Sequence, residues 1–96
     1  MEINIRDLRE MLSRIFDHIE NDLGVTEVTL DRDHYWEVPE DDLYRIEEVS
    51  PKLDIGQLSD DWHFLQPLID DEDQALALTL IHIAPILRYL ALKIGQ

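Results

Sequence analysis

The side chains of this sequence best suited to chemistry are histidines set among carboxylates. His34, His63 and His82 lie near many acidic residues, and Asp60 with His63 forms an i, i+3 pair that one helical turn would bring together. Such a pair with two further ligands could bind zinc or ferrous iron. In a chain with 22 acidic residues, however, an acid near a histidine is expected by chance, and no ligand pair is repeated. We therefore predict no metal and no cofactor.

Nucleophilic catalysis has still less support. The chain has no cysteine, and none of Ser13, Ser50 and Ser59 lies in a glycine-rich elbow. Ser59, followed by two aspartates, is better explained as a helix N-cap. The three glycines are far apart and form no phosphate-binding loop. We therefore expect that this protein is not an enzyme.

Charge is the most unusual property of the composition. The 22 acidic and 8 basic residues give a net charge of −14, and residues 27–73 alone hold 16 acids against three bases, a net −13. Such a field repels nucleic acid and anionic membranes and speeds the association with basic proteins. The predicted partner is thus a basic protein, although acidity that only keeps the protein soluble remains the alternative.

Five aromatic side chains lie within this acidic segment, as aromatic anchors do in protein-binding hot spots. The alternative is that Trp36 and Trp62 fill the core. We expect Trp62 in the core and either Tyr35 or Tyr44 at the surface. The predicted partner-binding residues are Tyr35, Trp36, Glu40, Asp41, Asp42, Tyr44, Asp60 and Asp61.

Two long amphipathic helices are predicted to frame this segment, over residues 5–22 and 73–94, the second kinked near Pro85. Their large apolar residues recur at intervals of three and four, so we expect the two helices to pack together. A homodimer joined through the C-terminal helix is the alternative. The longest uncharged run, residues 74–87, is shorter than the ~20 residues a membrane span needs, so no membrane is expected.

In the middle of the chain, the spacing of the apolar residues changes from every third or fourth residue to every second residue. Alternation over residues 26–38 predicts a β-hairpin with strands at 26–30 and 34–38. Residues 40–48 fit either a short helix or a strand, and residues 60–69 predict a short helix. The expected fold is mainly α (α+β), a single domain over residues 1–96.

The stretch LDIGQLSDDW at residues 53–62, with YWEV at residues 35–38 and Tyr44 upstream, resembles a group of short acidic bacterial proteins of uncharacterised function. The resemblance covers residues 35–65 and implies a bacterial origin, but no activity, ligand or catalytic residue. Met1 runs directly into an amphipathic pattern without a leader, so the cytoplasm is the expected location.

Overall fold

A computed structural model of the chain describes residues 1–45, 52–70 and 76–94. The elements are α1 (Ile5–Asp17), β1 (His34–Glu37), β2 (Asp54–Gln57), α2 (Leu58–Leu65) and α3 (Leu76–Ile94). A π-helical turn at His18–Asp22 continues α1, and short 3₁₀ turns lie at Glu40–Asp42 and Gln66–Asp70. The predicted mainly helical fold with a small antiparallel sheet is confirmed.

The N-terminal helix has the predicted ends. Asn4 caps it by accepting the N–H of Asp7 at 3.0 Å, and Gly24, just past the π turn, has a φ of +68°, which favours glycine. The predicted packing of this helix along the C-terminal helix is not what the structure shows. Every residue of α1 except Leu12 is exposed, and the helix that packs on α3 is α2.

The sheet pairs different strands from those predicted. β1 runs antiparallel to β2, with Tyr35 opposite Gly56 and Trp36 opposite Ile55. Residues 26–30 form no strand, so the prediction of a hairpin at 26–38 is wrong. The physical reason lies at Asp31: its backbone N–H donates to the Tyr89 hydroxyl at 3.0 Å, which ties this segment to α3 and keeps it from folding back on β1.

β2 leads directly into α2, without a connecting loop. Asp33 fixes this junction from a distance, because its Oδ1 accepts the N–H of Ser59 and its Oδ2 accepts both the Ser59 hydroxyl and the Gln57 amide, at 2.7 to 2.8 Å. The Asp33 carbonyl also accepts the N–H of Leu58 at 2.7 Å. The middle helix is thus present but begins at Leu58, and Ser59 is not its N-cap.

The core is small. Among the described residues only three apolar side chains are buried, namely those of Leu58, Leu65 and Tyr89. Trp62 is 50% exposed, so the prediction that it belongs to the core is wrong. α3 contains Pro85 as predicted, whereas residues 46–48 and 73–75 of the predicted elements lie outside the described residues.

α3 is, in length and composition alone, apolar enough to cross a membrane. Its mean hydropathy is 1.5, and only 6% of the stretch is buried. A helix that packs on a protein partner has the same properties. Its Tyr89 and Lys93 both contact Asp31 of the same chain, so α3 belongs to the folded body formed with β1, β2 and α2.

Candidate functional site

The exposed aromatic residues that the sequence predicted for a partner site lie on the sheet and just after it. Trp36 on β1 faces Ile55 on β2 across the ladder, and the two side chains are 69% and 60% exposed. Tyr44 is 88% exposed, which confirms that one of the two candidate tyrosines is at the surface. Paired apolar side chains on a strand surface normally pack against a covering layer, and here no described residue buries them.

Carboxylates occupy the next rung of the ladder, and because side chains alternate along a strand they project from the opposite face to this apolar pair. Glu37 lies directly opposite Asp54 in the ladder, and Asp60 lines the same cleft as Glu37 and Ile55. Like charges that face each other across two strands destabilise the pairing. We call Trp36, Glu37, Asp54, Ile55 and Asp60 the acidic–aromatic patch.

The 3₁₀ turn after β1 holds three more of the predicted partner-binding acids. Asp41 is exposed, whereas Asp42 is half-buried and lies 3.6 Å from the Arg45 guanidinium. Glu40 opens the turn. Of Asp41 and Asp42, the structure therefore leaves Asp41 the more accessible to a partner, and Asp42 is partly neutralised by its own chain.

Asp61, also predicted as a partner-binding acid, is turned inward instead. It is only 4% exposed, and its two oxygens accept the Tyr35 hydroxyl and bond His82 Nδ1, each at 2.6 Å. The Phe64 ring lies 4.2 Å from the His82 ring, centre to centre. One side chain each from β1, α2 and α3 thus meets at a buried carboxylate, and Tyr35 and Asp61 serve the fold rather than the surface.

The sequence held a signal for this buried carboxylate. Leu58, Asp61 and Leu65 are the three buried residues of α2, at the i, i+3, i+7 spacing of a helix face. Because Asp61 lies on the same helix face as two leucines, its carboxylate is expected to be buried and to need hydrogen-bond donors inside the fold.

A cleft of about 420 Å³ opens beside the Tyr35–Asp61–His82 group. Burial and the hydrogen bond to Asp61 raise the pKa of Tyr35, so its phenol stays protonated. A histidine held by a buried carboxylate resembles the base of a hydrolytic triad, but a triad also needs a nucleophile. Ser59, the serine on the adjacent helix, donates its hydroxyl to Asp33 instead. The group's observed role is to join three elements.

Metal binding has no assembled site in the part of the chain that the structure describes. No three histidine or acidic side chains come together there in a group that could hold an ion. Asp60 and His63, the predicted pair, are both exposed, and His82 is engaged by Asp61. Because His82, which lines the cleft, is bonded to Asp61, its Nδ1 is not free to bind a metal together with Asp60 and His63.

A second, larger depression of about 670 Å³ runs along α3. Its apolar lining, which we call the apolar groove, comprises Val38, Leu43, Leu80, Ala84, Pro85 and Leu92. Trp36 and Tyr44 lie at its border, as do Arg32 and Arg88, whose side chains form no ion pair within the described residues. This groove is an apolar surface that no described residue covers.

The C-terminal end of α3 is held to the segment before β1 by the carboxylate of Asp31. The Tyr89 hydroxyl donates to Asp31 Oδ1, and Lys93 Nζ lies 2.8 Å from Asp31 Oδ2. These two donors lower the pKa of Asp31 to about 2, and the carboxylate in turn raises the pKa of Lys93. The segment before β1 is therefore held against the last turns of α3.

Comparison of the chain with family models, curated proteins and solved structures gives no significant match. The resemblance of residues 53–62 to short acidic bacterial proteins therefore stays a prediction. Within that stretch the structure assigns Gly56 and Asp61 to contacts with Tyr35. The function of the protein must therefore be inferred from the geometry and the charge of its own residues.

Proposed function

We propose that this protein is a small acidic protein-binding module that masks a basic partner, as an inhibitor or an immunity-type protein does. The observation that carries the proposal is the acidic–aromatic patch, in which a two-stranded sheet and the helix after it present three carboxylates and an exposed tryptophan–isoleucine pair within a few residues of one another. Apolar anchors surrounded by charge combine burial energy with electrostatic steering.

The arrangement of charge fits a cationic partner better than a neutral one. Glu37 and Asp54 repel each other across the ladder, and no basic side chain forms an ion pair with either of them within the described residues. A lysine or arginine from a partner would relieve that repulsion on binding. Trp36 and Ile55 would then supply the desolvated centre of the contact.

The test is capture of soluble proteins from the source cell on immobilised protein, followed by binding measurements with each purified partner. We expect basic partners whose association slows strongly between low and high salt, because salt screens exposed charges. A triple variant, Glu37→Gln, Asp54→Asn and Asp60→Asn, should abolish capture.

A matched control carries the same loss of charge on α1. Glu2→Gln, Asp17→Asn and Glu20→Gln likewise remove three carboxylates, all of them exposed and without an ion pair among the described residues, and this variant should keep full binding. Equal loss of binding in both triple variants would show that only net charge matters. Association that does not change with salt would contradict electrostatic masking.

A second candidate function is a self-associating structural or regulatory subunit. Its supporting observation is the small core: one copy exposes 8,573 Å² of surface, whereas a folded monomer of 11.3 kDa is expected to expose about 5,700 Å². The radius of gyration of 15.4 Å likewise exceeds the roughly 12.5 Å expected for this length. Sedimentation at micromolar concentration tests this candidate, and a pure monomer would exclude it.

A further inference from the structure

The apolar stripe of α1 is not covered by any of the residues that the structure describes. Ile5, Leu8, Met11, Ile15 and Phe16 are all exposed large apolar residues on this helix. Isolated helices of this length are marginal in water, and their stability in proteins comes from packing of the apolar face. Among the described residues, α1 therefore lacks an apolar surface against which its stripe could pack.

The apolar groove offers a surface of the matching kind. Ala77, Ala84 and Ala91 recur every seven residues along α3 and are all exposed, with Leu80 and Leu92 beside them. Small residues in a row let another helix approach closely, and flanking leucines give knobs and holes to pack against. Leu80 to Leu92 covers about 18 Å of helix, and α1 with its π turn is about 27 Å long, so one helix can cover the groove.

We propose that the occupant of the groove is α1 of a second copy, exchanged reciprocally so that two chains form a symmetric dimer. This inference rests on the second candidate function, and its groove shares Trp36 and Glu37 with the acidic–aromatic patch. It differs from a dimer in which two α3 helices meet, because each groove receives the helix that its own chain leaves uncovered.

The large exposed surface area of one chain supports a second copy of the chain as the occupant of the apolar groove. Each chain exposes roughly 2,900 Å² more than a monomer of its mass should. Obligate homodimers bury about 2,000–5,000 Å² in total, and their interfaces are more hydrophobic than transient ones. Over two chains the excess is roughly 5,800 Å², which is enough surface for an interface of this class.

Charge is also complementary. Residues 1–24 hold six acids and three bases, whereas residues 74–96 hold two bases and no acid. Arg32 and Arg88 border the groove, and Asp7 lies on a flank of the α1 stripe without an ion pair among the described residues. A docked α1 would therefore bring excess acid to the basic side of the molecule. Of the acidic–aromatic patch, Trp36 and Glu37 line the groove and would contact a docked α1, whereas Asp54, Ile55 and Asp60 do not line it.

The absence of cysteine permits a clean crosslinking test. Ile15→Cys and Ala84→Cys are made in separate chains, mixed and oxidised mildly. A mixed disulfide between the two variants, in excess over either self-disulfide, supports the exchange. Predominant Ala84–Ala84 crosslinks would replace it with an α3–α3 dimer, and no crosslink would overturn it.

The double variant distinguishes a second copy from the chain's own helix. Carrying Ile15→Cys and Ala84→Cys in one chain, it should give disulfide-linked dimers. A disulfide-linked monomer would show that α1 folds back on its own groove, which overturns the proposal.

A charge variant provides a measurement that does not depend on disulfides. Ile15→Glu should weaken self-association in sedimentation by about tenfold or more, because it removes one buried isoleucine at each of two equivalent sites. Ser13→Glu adds the same charge to the solvent side of α1 and should leave association unchanged. Near-UV circular dichroism checks that the body is folded in both variants. Equal association of the two variants would contradict the docking of α1, while acid-patch binding is measured separately.

Discussion

Asp33 caps the middle helix from 26 residues away: its Oδ1 accepts the N–H of Ser59 at 2.7 Å. The same carboxylate accepts the Ser59 hydroxyl and the Gln57 amide, which lower the pKa of Asp33. N-caps are normally local, and here the residue at that position, Gln57, makes no side-chain cap. The start of α2 therefore depends on the residue that precedes β1.

Removing this carboxylate should loosen the junction of β2 with α2. We expect Asp33→Ala to lower the melting temperature by about 5 °C, the shift that a lost helix cap gives in a domain of this length. Glu27→Ala, which removes an exposed acid from the same irregular segment, is the control and should change it little. Equal melting of the two variants would show that Asp33 does not hold α2.

Asp61 should be the most costly single carboxylate to remove. Asp61→Ala leaves the Tyr35 hydroxyl and the His82 ring without their shared acceptor, and we expect a loss of about 2–4 kcal/mol in the free energy of unfolding. Urea denaturation measures it. The neighbouring Asp60 is exposed, so Asp60→Ala should cost less than about 0.5 kcal/mol. Similar losses for the two neighbours would contradict the buried network.

Gly56 is required because the Tyr35 ring covers it. A Cβ at this position would overlap the ring and hydroxyl of Tyr35, so Gly56→Ala should displace the ring and break its bond to Asp61. We expect a loss of about 1–3 kcal/mol by urea denaturation. In a Tyr35→Ala background the same change should cost far less. If both backgrounds responded equally, the cause would be the strand backbone and not the ring.

Acid should abolish the contribution of Asp31. Its pKa is lowered to about 2 by Lys93 and Tyr89, so the stability that it provides is full above the unfolded pKa near 3.9 and is lost as the pH falls toward 2. The difference in melting temperature between the natural protein and Asp31→Asn should therefore be clear at pH 6 and nearly absent at pH 2. A difference that persists unchanged at pH 2 would contradict this assignment.

Salt should stabilise the protein at low ionic strength. Repulsion among the acids, with Glu37 opposite Asp54 as its closest pair in the sheet, falls as the Debye length shortens to about 8 Å near 0.15 M. The melting temperature should rise over this range, and it should rise less in Glu37→Gln. A melting temperature independent of salt would show that the acids are too dispersed to repel one another.

Local patterns in the sequence were enough to predict the helices. The three-and-four spacing gave α1 and α3, and Asn4 and Gly24 marked the two ends of the first helix with its π turn. Helix capping and the preference of glycine for a positive φ depend only on residues a few positions apart, so both can be predicted from the sequence. The partners of these helices were not local, and the predicted pairing of α1 with α3 failed for that reason.

Strand pairing and the buried network depended on contacts between distant residues. Residues 26–30 alternate as a strand should, yet the Tyr89 hydroxyl holds Asp31 to α3, and β1 pairs with β2. Asp61 carries a charge that is usually exposed, so its burial could be foreseen only from its register with Leu58. The exposed Trp36 and Tyr44, in contrast, followed from their acidic surroundings.

The bond between Tyr89 and Asp31 spans 58 residues, and Lys93 closes an even longer loop. A chain leaving the ribosome must therefore wait until Lys93 has emerged before this body can close. At about 5–20 residues per second, α1 is outside the ribosome for several seconds before that happens. During translation it is thus free to meet the nascent chain of a neighbouring ribosome on the same messenger.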